Sequence, residues 1–469
     1  MQSVILSLLL FVTALQLCGQ RVVLTGKAAD YSAKELTFYT IPDPVLHRKR
    51  ELATVKIAAD GTFSAALPIV HTIEVYVDLE KYCGTMVVEP GKNYRIVLPP
   101  FSLRTADEAH SAYFKAAPFW LGIPDADTLD LNFAIRSFVT DFNLETIKNT
   151  DAIYRQKSKE IVTQIQDRLD KKYSSNQNEY FRILKRYYYA ELEYAVNQNT
   201  PEFVIQKYFT NKPVHLTHPI YQRAFEALFT DFLRKQSQNI QNRKIINLTN
   251  SGNYTDLVLF FTNKGYQKEF AELVVLKGLY DGFYTGSFLK QGIIKAVETS
   301  QTAILSPDLQ SIAQDIKSKL TLLSVGSKAP SIKLFNLKNE LVTLDQFSDK
   351  YVYLSFINST SSDCKMELDS IVSMEKRLKH VLHFVSVSSD ADFSNATNLW
   401  ATKKYSWMLL NGSKQKQLII NYNASTSPAF YLIAPDGTLQ LSPAPSPSQG
   451  FEPLFLNLLR ASSFHRQRN

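Results

Sequence analysis

At 469 residues the chain is too long for one ordinary domain and is expected to fold as roughly two to four. A composition of 45% hydrophobic and 20% charged residues excludes a disordered chain and points to globular material. The net charge of +8 comes from scattered basic residues, such as Arg182, Lys185 and Arg186 among Tyr and Glu, so it reads as a solvated surface. No Lys/Arg stripe accompanies a nucleic-acid motif, and nucleic-acid binding is set aside.

The chain opens on an apolar run from Val4 to Leu17, followed by Cys18-Gly19-Gln20. The run is short for a membrane span and reads as a signal-peptide core over residues 1–20. Cleaved export, lipid attachment at Cys18 and a retained anchor all remain open, and membrane association is expected only in the last two cases. With the signal removed, Cys83 and Cys364 are left, too few for a disulfide framework, and sequence does not decide whether they pair.

Residues 21–100 read as short strands: Arg21–Gly26, Leu36–Thr40, Ala53–Ile57, Thr62–Leu67, Thr72–Leu79, Thr85–Glu89 and Tyr94–Leu98. Asp60-Gly61 and Pro90-Gly91 supply turns, and Pro99-Pro100 closes the segment, giving a small antiparallel β-sandwich. Residues 101–324 change to helical spacing, with stripes at Phe133, Ile135, Phe138 and Phe142, at Ile161, Ile165 and Leu169, and at Phe270, Leu273, Leu276 and Leu279. Breaks fall near Ser174–Asn178, Asn197–Pro201, Asn211–Pro219 and Asn247–Tyr254. Aromatic residues at this spacing are packing faces, so the helical domain is given no cofactor.

Residues 325–469 alternate strand and helix. Strands are expected at Ile332–Leu334, Leu341–Leu344, Tyr351–Ile357, Val381–Ser386, Ala429–Ile433 and Leu439–Leu441. Helices are expected at Lys365–Leu378, around Asp392–Lys404 and at Phe451–Leu459. With the Asp436-Gly437 turn they make a central mixed sheet flanked by helices. The whole chain is therefore a multidomain α/β protein whose last part follows a helical domain and an N-terminal sandwich.

Four features of this last part match one family. They are Gly326-Ser327-Lys328-Ala329-Pro330; Leu344 to Phe347; Phe356 leading to Ser361-x-x-Cys364-x-x-Glu367; and Ser427-Pro428 before a strand and Asp436-Gly437. On these, residues 325–460 resemble the TlpA/ResA-like branch of the thioredoxin superfamily. The sandwich and helical parts resemble the arrangement in Bacteroidetes envelope members of that branch. The resemblance implies a thioredoxin-like fold and an exported thiol–disulfide protein of the periplasm or cell envelope. It also implies a polypeptide or thiol-containing protein as partner. Cys364 and Ser361 would occupy the catalytic positions, and Thr360, Ser427 and a cis Pro428 the substrate-binding ones, with no metal or cofactor.

The departures bear on activity. Ser361 stands where the family has its first cysteine, Thr360 where it has Trp, and Asp369 where it has Pro. A dithiol reductase needs an exposed thiolate at the helix N-terminus and a second thiol to resolve the mixed disulfide. A serine hydroxyl stays protonated without an adjacent base, so Ser361 reads as a helix cap rather than a nucleophile. Cys364 is then either a partly buried thiol or a monothiol that captures a partner. A peroxidase reading, with Ser361 in the Thr of Thr-x-x-Cys, lacks its preceding Pro, because Asn358 stands there. His380, His383, His215 and His218 have no metal-ligand spacing. Two functions follow: a thiol–disulfide protein without dithiol activity, using Cys364 at most as a monothiol, or a non-catalytic protein holding a polypeptide at the Pro428 face.

Overall fold

The computed structural model describes residues 21–105, 108, 114–127, 129–413 and 415–466. The expected signal segment and Cys18 lie outside them. Among the described residues no helix is long and apolar enough to cross a membrane. The chain forms two compact units, one holding residues up to Thr105 with Phe114–Ile316, the other residues from Lys317 onward.

In the first unit the strands are β1 (Arg21–Lys27), β2 (Glu35–Thr40), β3 (Arg50–Lys56), β4 (Thr62–Pro68), β5 (Ile73–Leu79), β6 (Tyr82–Val88), β7 (Asn93–Ile96) and β8 (Ala117–Trp120). They make two sheets, β4-β1-β7 and β3-β2-β5-β6-β8. Alternation along Thr62–Pro68 sends Phe63, Ala65 and Leu67 inward, where they meet Phe38, Val75 and Val77 of the other sheet in one apolar core. Two expectations are corrected here. The sandwich is not wholly antiparallel, since β7 runs parallel to β1 and β8 parallel to β6. The sheet also takes β8 from beyond Pro99-Pro100; four residues with an internal Pro118 are too few to display a period.

The helical stretch begins at Leu131–Lys148, capped by Asp130, whose carboxylate accepts from Asn132 N at 2.8 Å. Ile135, Phe138 and Phe142 of its expected stripe are buried, but Phe133 is 47% exposed. Positions 133 and 135 are two residues apart and cannot share a face. Within the expected break near Asn247–Tyr254, the helix Lys244–Ser251 runs on to Ser251 and the chain turns at Gly252, with φ of +76°. His218 is a core residue: its Nε2 lies 3.2 Å from Tyr180 O, its ring stacks on Tyr180, and burial pushes its pKa down to about 3.

In the second unit β9 (Lys333–Phe335) and β10 (Leu341–Thr343) form a hairpin. The central sheet is built from β11 (Tyr351–Ile357), β12 (Leu382–Ser388), β13 (Met408–Asn411), β14 (Ala429–Ile433) and β15 (Leu439–Leu441), in the order β13-β12-β11-β14-β15. β11, β12 and β13 are parallel, while β14 and β15 run antiparallel to their neighbours, which is a thioredoxin-like mixed sheet. Strand β11 is buried on both faces. Tyr353 and Ile357 join a core with helices Ser362–Leu378, Phe393–Lys403 and Phe451–Arg466; Val352, Leu354 and Phe356 join one that includes the β9–β10 hairpin and Tyr422. Strand β13 was not anticipated from sequence, being four residues long, and the chain then enters the short helix Lys416–Asn421.

Where the sandwich meets the helices, the Asn132 amide accepts from Val87 N at 2.8 Å and donates to Val87 O at 2.9 Å. It thus acts as one more residue of strand beside β6. On the same sheet the Glu74 carboxyl takes a hydrogen bond from Thr85 Oγ1, and desolvation pushes its pKa up to about 7 against the lowering effects of Thr85, Tyr76 and Arg223. An unfolded glutamate ionises near 4.3, roughly, so the folded chain holds more protons between that value and the raised one. Stability is therefore expected to fall as pH rises through that window and to level off above it. In thermal melts across this range, Glu74→Gln should gain on the wild type as pH rises; a difference that does not change with pH would contradict the assignment.

Candidate functional site

The site begins where β11 ends. Register pairs Phe356 with Ala429, so the cis Ser427-Pro428 step, just before β14, lies beside the loop that follows Ile357. That loop, residues 358–361, is tied down from within. Asn358 Oδ1 accepts from Thr360 N at 2.9 Å and from Thr360 Oγ1 at 2.6 Å, closing an Asx turn that leaves Thr360 exposed.

A second anchor comes from Asp390, just past the end of β12 and 2% exposed. Its carboxylate accepts from Ser359 N at 3.0 Å, Ser359 Oγ at 2.9 Å and Ser388 Oγ at 2.7 Å. Three donors on one buried carboxylate offset its desolvation and join the loop to the neighbouring strand. Nothing in the sequence singled out Asp390, because Ser359, the loop residue it holds, lies 31 positions away.

Ser361 is the N-cap of helix Ser362–Leu378, its Oγ accepting from Cys364 N at 3.4 Å. Asp363 lies exposed on the first turn, suited to the positive end of the helix dipole. Cys364, one turn in, is 0% exposed and packs in a core with Ile357, Leu368 and Phe430. Its Sγ accepts from Asn358 N at 3.4 Å. Cys83, in the other unit, is partly buried with its Sγ 3.6 Å from Tyr39 Oη, and burial raises its pKa. Both thiols are free. A thiol enclosed by apolar side chains is a poor nucleophile, since attack requires an exposed thiolate.

Beside Pro428 lies a cavity of about 720 Å³. Asp363, Met366 and Glu367 of the helix form one side, Pro428 to Tyr431 another, and Ser442 to Ala444 with Ser446 and Ser448 a third. The cavity thus joins Pro428 to the helix carrying Cys364, whereas Thr360, Ser361 and Ser427 do not line it. Glu367 is 6% exposed and accepts from Ser446 Oγ at 2.8 Å, from Ser448 N at 3.0 Å and from Ser448 Oγ. Ser446 and Ser448 carried no sequence signal. Elsewhere His383 pairs with Asp349 at 2.7 Å on the surface, and the described residues contain no cluster of three metal-type ligands.

Replacing Asp390 by Ala is expected to leave Ser359 N–H buried without a partner and to free the loop. Urea denaturation should give a loss of about 2–4 kcal/mol, and the amides of residues 358–361 should exchange faster. A loss below about 0.5 kcal/mol, the usual effect of a surface change, would refute the anchoring role.

Residues 325–442 match the model of the AhpC/TSA family. A search of curated proteins returns no match. Among solved structures, the chain is similar to the thioredoxin domain of a thiol-disulfide oxidoreductase from Bacteroides vulgatus, at 22% identity over 28% of this chain and 96% of that one, with a TM-score of 0.27. It is also similar to a thiol:disulfide interchange protein from a Bacteroides species, at 25% identity over 25% of this chain and 80% of that one, TM-score 0.23. A third is a thiol-disulfide oxidoreductase from Bacteroides fragilis, at 18% identity over 28% of this chain and 99% of that one, TM-score 0.26. The strand order, the mixed sheet and the family-model match together make the C-terminal unit a thioredoxin-fold domain.

Proposed function

We propose that the C-terminal domain is a polypeptide-binding module on a thioredoxin scaffold, exported to the periplasm or cell envelope, and that it carries out no thiol–disulfide exchange. The observation that carries this reading is the burial of the Cys364 thiol. Exchange needs an attacking thiolate in line with a substrate disulfide. Here the attacking position holds the Ser361 hydroxyl, engaged as a cap, and the remaining sulfur is enclosed. Monothiol capture by Cys364 requires the helix start to open first.

What remains suited to a ligand is the Pro428 face. Thr426 and Ser427 precede the first paired residue of β14, and among the described residues no hydrogen bond engages their backbone. An extended chain pairs with such a segment by strand-like hydrogen bonds, and the adjoining cavity accepts a side chain. The sandwich and helical domains are given no separate activity; in this reading they are the carrier on which the binding domain is presented.

Two variants test the proposal with a fluorescent pool of random nonapeptides read by anisotropy. Cys364→Ala should bind the pool as the wild type does, and Thr426→Trp, which fills the exposed rim of the cavity, should weaken binding about tenfold or more. Loss of binding in a folded Cys364→Ala protein would overturn the reading in favour of a functional thiol. In the chain that keeps Cys364, Ser361→Cys places two cysteines at Cys-x-x-Cys spacing and should still give no reductase activity towards insulin; a fully active variant would mean that the site supports redox chemistry.

A further inference from the structure

We infer that the cavity beside Pro428 selects polypeptides carrying a basic side chain, whose ammonium or guanidinium group sits against Glu367 and Asp363. The inference rests on the peptide-binding reading above and names the class of ligand for that site. Its first support is the charge of the wall. Asp363 and Glu367 both line the cavity, and no Lys, Arg or His lines it.

The second support is the state of Glu367. It is 6% exposed, and its hydrogen bonds come from Ser446 Oγ, Ser448 N and Ser448 Oγ, all neutral donors. Among the described residues it forms no ion pair. A carboxylate withdrawn from water with dipoles alone around it retains part of its desolvation cost, and a cation in the cavity offsets that cost. In a site shielded from solvent such a contact is stronger than on an open surface.

The third support is the rest of the lining. Met366, 57% exposed, Ala429, Phe430 and Pro443 offer apolar surface to the methylene stem of a lysine or arginine, which characteristically buries its stem and holds out its charged end. Ser442 Oγ is buried in the same wall without a hydrogen-bond partner, an unmet group for one further N–H donor. The unpaired backbone before β14 favours a polypeptide over a free amine, because only a chain adds main-chain hydrogen bonds to the ion pair.

The test uses the full chain and fluorescein-labelled nonapeptide pools, random at eight positions and fixed at the centre as Lys, Gln or Glu. The Lys pool is expected to bind about tenfold more tightly than the Glu pool at low ionic strength, with the ratio shrinking in salt. Asp363→Asn, a change at an exposed position, should cut that ratio to about threefold, and Asp363→Glu should restore it. Equal affinity for the three pools, or preference for Glu, would overturn the charge selection and leave peptide binding standing. Failure of every pool to bind would overturn the peptide-binding reading itself, and this inference with it.

Discussion

Strand β11 is the constraint on which the C-terminal domain depends. It is buried on both faces and paired on both edges, parallel to β12 and antiparallel to β14. Its last residue, Ile357, therefore delivers the loop that follows to one fixed place. Two carboxyl-terminal strand ends and one strand beginning meet there, so the side chains around that point come from segments far apart in sequence. The loop is held by Asp390 from the neighbouring strand's end, the helix by the Ser361 cap, and the facing step by pairing of Ala429 with Phe356.

Given that frame, a serine at position 361 fits the fold. It satisfies one amide of the helix start, which a thiol does less well. Cys364, one turn further on, packs as a small apolar core residue. Around it lie a cis X-Pro step, a stretch of backbone before β14 that makes no hydrogen bond among the described residues, and a cavity lined by Asp363 and Glu367.

The sequence carried the scaffold more clearly than the site. Strand β11 was legible end to end because its apolar run, buried on two faces, is interrupted only by the small Ser355. The helix Ser362–Leu378 was legible in its end at Leu378 and in its Ser361 cap, while the apolar spacing put its start at Lys365, three residues inside the observed one. Strands β8 and β13 were not, because four residues hold too little pattern to separate strand from loop. Thr360 was grouped with Ser427 and Pro428 through family resemblance, yet its side chain turns back to Asn358. Asp390, Ser446 and Ser448 escaped notice since each acts through partners brought together only by folding. Periodicity reports burial along an element; it says nothing about which buried polar groups meet across elements.

Whether the domain retains redox capacity depends on the accessibility of one sulfur. The direct measurement is the alkylation rate of Cys364 by iodoacetamide at mildly alkaline pH, in the full chain with Cys18→Ser and Cys83→Ser, compared with the same protein in denaturant. Burial at a helix start in a packed core predicts a native rate at least about a hundredfold slower, as expected when access requires local opening costing about 3 kcal/mol. A native rate equal to the denatured one, or rising with a midpoint well below that of a free thiol, would mean an exposed thiolate and would contradict the account.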